Sequence, residues 1–117
     1  MHVFKLWLPT LTVLCACAGA ELNQARATDV QAAVLAAEQV GANDSPKAAL
    51  HLQLAKEQLV SAQRLAADGD QNNSNLLLER AKVDAELALQ LARTEREQAS
   101  AREAWEKIRE TKQQSAR

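Results

Sequence analysis

Two stretches of the chain repeat one spacing, and that spacing leaves few folds open. Ala48, Leu52, Ala55, Leu59, Ala62 and Ala66 follow one another in alternating steps of four and three residues. After the polar segment "ADGDQNNSN", Leu78, Ala81, Ala85, Ala88 and Ala92 are spaced by the same two steps. Steps of three and four keep side chains on one face of an α-helix, whereas a half-buried strand needs strict alternation. Alanine at most of these positions lets two backbones approach closely. The runs are therefore predicted to form an antiparallel hairpin with an alanine-rich, coiled-coil-like seam. Leu50, Leu54 and Leu65 are expected to widen the apolar face of the first run, and Leu77, Leu87 and Leu91 that of the second.

Punctuation residues place the boundaries. A preceding helix is predicted over about 21–40, with Leu22, Ala25, Val30, Ala33, Ala37 and Val40 on one side. Gly41-Ala42-Asn43-Asp44 ends it, since glycine and asparagine are favoured just past a helix end. Ser45-Pro46 then starts the next helix, predicted over 46–68, with serine as cap and proline at the first helical position. Ser74 is read as the cap of the third, predicted over 74–113. Pairs such as Glu103 with Lys107 support that helix after the seam ends at Ala92, by a few tenths of a kcal/mol each. At 1.5 Å per residue it would be nearly 60 Å long, about twice its partner, so its distal half should project as an arm. The fold expected is all-α: an antiparallel helical hairpin or a three-helix arrangement with a long C-terminal helix.

The first residues read as an address rather than as fold. "MHVFKLWLP" carries a single lysine, and the run to Leu14 is mostly apolar before the polar "ELNQAR". A positive start, a short apolar core and small residues after it describe a secretory signal peptide. The run is too short for a bilayer span, which needs about 20 apolar residues. Leu14-Cys15-Ala16-Cys17 has the pattern of a bacterial lipobox, so Cys17 is the expected lipidated amino terminus, carrying diacylglycerol and an N-acyl chain. Residues 1–16 would then be the signal peptide, 17–20 a tether and 21–117 a single helical domain. Ala18-Gly19-Ala20 lacks the aspartate that retains many lipoproteins at the inner membrane, which favours the outer membrane facing the periplasm. The same three residues also offer an ordinary small-x-small cleavage before Glu21, giving a soluble periplasmic protein. An uncleaved anchor is the third possibility.

Composition narrows the chemistry. Cleavage before Cys17 removes Lys5 and no acid, taking the formal charge from −1 to −2. A chain so balanced has no basic face for nucleic acid. Cleavage also removes Phe4 and Trp7, leaving Trp105 as the sole aromatic residue, so a large core is not expected. A nucleophile–base pair would have to use His51, the one histidine beyond the address, and no glycine-rich loop is present to hold a phosphate. The chain is expected not to be an enzyme, and to need no cofactor and no small-molecule substrate. Asp68, Asp70, Asn72, Ser74 and Glu79 do fall on positions one, three, five, seven and twelve of a calcium loop. Asn73 replaces the usual glycine at six, and Asn75 stands where an apolar residue is usual. Aspartate, glycine and asparagine are equally what a plain inter-helix turn prefers, and that is the expected reading.

With the lipobox and seams in hand, the chain resembles the small bacterial envelope lipoproteins grouped as domain of unknown function 4398. The resemblance covers about Ala33 to Glu95. It rests on "LAAEQVGANDSPKAALHLQLAKEQLVSAQRLAADGD" followed by "LLLERAKVDAELALQLA". It implies helical hairpins reminiscent of tetratricopeptide units and carries over no catalytic residue. The chain departs from that pattern at the turn, where "QNNSN" replaces the aromatic and alanine that often follow Gly-Asp. The function implied is a structural or adaptor role through helix–helix contacts. The alternatives are a soluble chaperone-like or binding module and, less favoured, a weak calcium-binding hairpin. Ala101, Ala104, Trp105 and Ile108 form a short apolar stripe on the arm. Trp105 and Ile108 are its candidate anchors for an envelope partner or for self-association, because tryptophan is enriched among binding anchors.

Overall fold

The computed structural model describes residues 17–117, with side-chain surroundings from Asn23 onward. The expected signal peptide, 1–16, lies outside the described residues. The described chain forms α1 (Cys17–Val40), a short 3-10 turn (Ala42–Asp44), α2 (Pro46–Ala67) and α3 (Gln71–Ser115). It is the three-helix version of the two all-α arrangements expected. α1 begins at Cys17, so the segment expected as a tether is helical.

The first connection is built as the sequence indicates. Gly41 has φ +95 and donates its N–H to the Glu38 carbonyl, closing α1. A Cβ at Gly41 would sit 3.1 Å from Asp44 Oδ2, which can swing aside, so it is the left-handed backbone that favours glycine there. Ser45 Oγ accepts from the Ala48 N–H at 3.3 Å, and Pro46 follows at the first helical position.

The second connection differs from expectation. Gly69, at φ +87, donates to the Ala66 carbonyl, and Asp70 donates to the Leu65 carbonyl, the paired bonds of a Schellman ending. Asp70 then caps α3 at once, accepting from the Asn73 N–H. The helix therefore starts at Gln71, three residues earlier than the Ser74 cap would have it. Ser74 sits four residues before Leu78 on the seam and is fully buried there.

The packing follows the two seams. Ala48, Leu52, Ala55 and Ala62 of α2 are buried against Leu78, Ala81, Ala85, Ala88 and Ala92 of α3, with Leu59 packed at the edge. α1 runs parallel to α3 and packs mainly along it, burying Ala27, Val30, Val34 and Ala37. This corrects the face expected for α1, because Ala25 is exposed and Ala33 and Val40 are only partly buried. The flanking leucines divide in the same way. Leu65, Leu77 and Leu91 are partly covered, whereas Leu50, Leu54 and Leu87 remain 59%, 36% and 40% exposed. Large buried side chains are few, Leu52, Leu78 and Val30 being the main ones. Each stabilises by about 1.5–3 kcal/mol on full burial, and the alanines contribute chiefly by letting the helices close up.

α3 has 45 residues against 22 in α2, about 67 Å against 33 Å. Its start lies beside the start of α1, where Asn23 bonds Ser74. Near Ala92 it passes the α1–α2 turn, the segment Val40–Ser45 lining one groove with Ala92, Glu95 and Arg96. From Arg93 onward every side chain is exposed, so the second half of the helix is the projecting arm.

Candidate functional site

The arm exists because the seam changes chemistry. Continued past Ala92 in the same register, the positions are Glu95, Ala99, Arg102, Glu106, Arg109 and Gln113. Charged residues there cannot enter an alanine interface without a large desolvation cost, so the close seam ends at Ala92. Only the end of α1 and the turn after it border α3 beyond that point. The helix is sustained instead by good helix formers and by acid–base neighbours at helical spacing.

At about 100° per residue, Ala101, Ala104, Trp105 and Ile108 lie roughly half a turn away from the seam. The stripe thus faces opposite to the bundle core. Trp105 is 67% exposed and Ile108 is 45% exposed, without packing from the bundle. Leu76, Val83 and Leu87 lie on the same outer face of α3 nearer its start, and they too are exposed. α3 is therefore apolar on two opposite faces: an inner one filled by α1 and α2, and an outer one that is open. A large side chain held open to water on a rigid helix is the surface most suited to binding a partner.

The residues with calcium-loop spacing are not arranged on a loop. Asp68 ends α2, Asp70 caps α3, and Asn72 and Glu79 lie within α3. Both Asp70 carboxylate oxygens are engaged by Asn73, Oδ1 by its N–H at 3.2 Å and Oδ2 by its side-chain amide at 2.7 Å. Glu79 instead receives a 2.7 Å bond from Arg26 of α1. Among the described residues, no group of three or more His, Cys, Asp or Glu side chains is placed to hold a metal ion.

The side-chain bond from Asn73, and after it the backbone one, hold the Asp70 carboxyl below its ordinary value of 3.8. The cap is thus fully present above pH 3.8 and is lost as pH falls through the lowered folded value. Helicity measured on acidification should show this loss in the wild type and not in Asp70→Asn. Parallel curves for the two proteins would mean that the cap is not formed by the carboxylate.

Two polar clusters join the helices, and the sequence alone showed neither. Ser74 Oγ donates to the Ala62 carbonyl of α2 at 2.7 Å and accepts from Asn23 Nδ2 of α1 at 2.7 Å, so one hydroxyl ties all three helices. The Asn23 amide also reaches Asn75 Oδ1 at 3.3 Å. The position of Ser74 on the seam register was the available signal. His51, the one histidine beyond the address, is half-buried with Nδ1 2.9 Å from Asp84 Oδ1, while Gln58 donates to Asp84 Oδ2 at 2.8 Å. That cluster holds α2 to α3. Its histidine contacts a carboxylate of the facing helix, an arrangement that braces the hairpin.

The fold and surface define a small three-helix bundle that carries an extended, exposed helical arm. The chain belongs to the family described as Domain of unknown function (DUF4398), whose model matches residues 20–104. The matched segment takes in the whole bundle and ends one residue before Trp105. No curated protein and no solved structure matches the chain significantly.

Proposed function

We propose that this chain is a non-enzymatic lipoprotein of the bacterial cell envelope, with a structural or adaptor role exercised through helix–helix contacts in the periplasm. The observation that carries the reading is the arm: half of a rigid 45-residue helix stands clear of the bundle with Trp105 and Ile108 open. The lipobox pattern at Leu14–Cys17 supports the anchor. Among the described residues no helix is long and apolar enough to cross a membrane, so attachment would come from the lipid. Acyl chains on Cys17, each buried methylene worth about 0.8 kcal/mol, would hold the protein stably where a single chain would not. The absence of aspartate in Ala18-Gly19-Ala20 favours the outer membrane, facing the periplasm.

α1 starts at Cys17, and the arm leaves the opposite end of the bundle. The arm would accordingly point away from the anchored surface, with Trp105 on the order of 55 Å along the helix axes from Cys17. That is the geometry of a presenter. The exposed pair Leu50 and Leu54 on α2 favours, as a second reading, a soluble periplasmic module that holds clients on apolar faces.

Labelled palmitate is expected in the wild-type protein and not in Cys17→Ser, with the wild type partitioning into detergent. No label in either would rule out the anchor and leave the soluble reading, and equal labelling of the two would overturn Cys17 as the site.

A further inference from the structure

We infer that the arm pairs with the arm of a second copy of this chain, antiparallel, about an axis between Ala104 and Trp105. The inference deepens the proposed helix–helix role by naming its partner, and it does not depend on the lipid.

Charge order along the open stripe favours this pairing. Glu97 stands at its start and Lys112 at its end, both on the stripe face, with Ala101, Ala104, Trp105 and Ile108 between them. All of these side chains are exposed; Glu97 borders a groove shared with Val40 at the end of α1, and the stripe residues after it lie clear of the bundle. Laid parallel, two such stripes set Glu97 against Glu97 and Lys112 against Lys112. Laid antiparallel about the Ala104–Trp105 axis, each Glu97 meets the other copy's Lys112, twice by symmetry. Each Ala101 then lies opposite an Ile108 and each Ala104 opposite a Trp105, so a small side chain always faces a large one. A self-complementary patch of this kind is what a two-fold interface requires.

The geometry of the bundle agrees. In this register Arg93 of one copy lies opposite Ala116 of the other, so the bundles sit at opposite ends of the paired arms without colliding. From Glu97 to Lys112 the stripe runs about 22 Å, which places the contact among small interfaces, below the roughly 1,200 Å² typical of stable ones. The dimer should therefore be weak and concentration-dependent. Because α1 runs parallel to α3, the two Cys17 ends would point in opposite directions, on the order of 110 Å apart. Two chains anchored in one membrane would therefore pair by lying along it and not by standing away from it as a single anchored chain does.

Sedimentation equilibrium of the full chain in mild detergent tests this, across a concentration series. The wild type should self-associate. Glu97→Lys alone and Lys112→Glu alone should each weaken association by about fivefold or more, since both symmetric pairs become like-charged. The double swap should restore it, and Trp105→Ala should abolish it. Added salt should weaken the wild type. A wild type that stays monomeric overturns the inference, even if its Trp105 crosslinks to a different envelope protein in cells. A dimer indifferent to the single reversals, or not rescued by the double swap, overturns the antiparallel register. Palmitate labelling is unaffected by any of these outcomes, so the anchor and the dimer stand or fall separately.

Discussion

An Ala62→Phe variant is expected to melt well below the wild type. Ala62 is wholly buried at the α2–α3 interface, and its carbonyl accepts the 2.7 Å bond from Ser74. Facing it is Ser74, a small side chain already committed to that bond, which cannot shrink to make room. The added ring has to push α3 outward, opening the close approach along the seam and lengthening the Ser74 bond. Overpacking of this kind costs about 1–3 kcal/mol, and loss of the buried bond adds to it. For a domain of this size the melting temperature should fall by roughly 5–20 °C. Ala99→Phe is the matched control, because Ala99 is exposed on the arm in the continuation of the same register. It should stay within about 0.5 kcal/mol of the wild type. Indistinguishable melting of the two variants would mean that the seam does not close at Ala62.

The second large effect is expected where the three helices meet. Asn23→Ala and Ser74→Ala each remove one partner of a buried 2.7 Å bond, leaving the other partner's polar group short of a bond away from water. Each should cost about 1–3 kcal/mol, and Asn23→Ala also removes the bond to Asn75. The double variant should be less damaging than the sum by about 0.5–3 kcal/mol, because the second change removes a group already orphaned by the first. Denaturant midpoints for the four proteins measure that coupling. Strict additivity would show that α1 does not dock on α3 through this pair.

The two seams on α2 and α3 were legible because they are written redundantly. Alanine or leucine stands at nearly every step, and the pattern ends at Ala92, where the bundle stops and the arm begins. The first turn was legible for a similar reason, since Gly41 holds the positive φ that glycine tolerates best. The candidate stripe could be placed on the arm from spacing alone. Its exposure followed from the arm's overshoot past α2.

Other features depended on groups far away in sequence. Ser74 looks like a helix cap to any local reading, since serine after a polar turn favours that role. It is a seam residue because Asp70 caps first and because Asn23, 51 residues earlier, supplies a bond to its hydroxyl. The docking face of α1 was ambiguous because alanine and valine lie on several of its sides, so two stripes fit the sequence almost equally well. The stripe that was chosen is the one that puts Asn23 against Ser74 and Arg26 against Glu79. Which leucines are covered was settled the same way: Leu91 lies two turns after Asp84, on the side of α3 that meets α2, whereas Leu87 lies further round toward the open face. Local periodicity determined that these segments are helices and where each ends. Only the packed bundle decided which face meets which, because that choice rests on contacts between residues the chain does not place near one another.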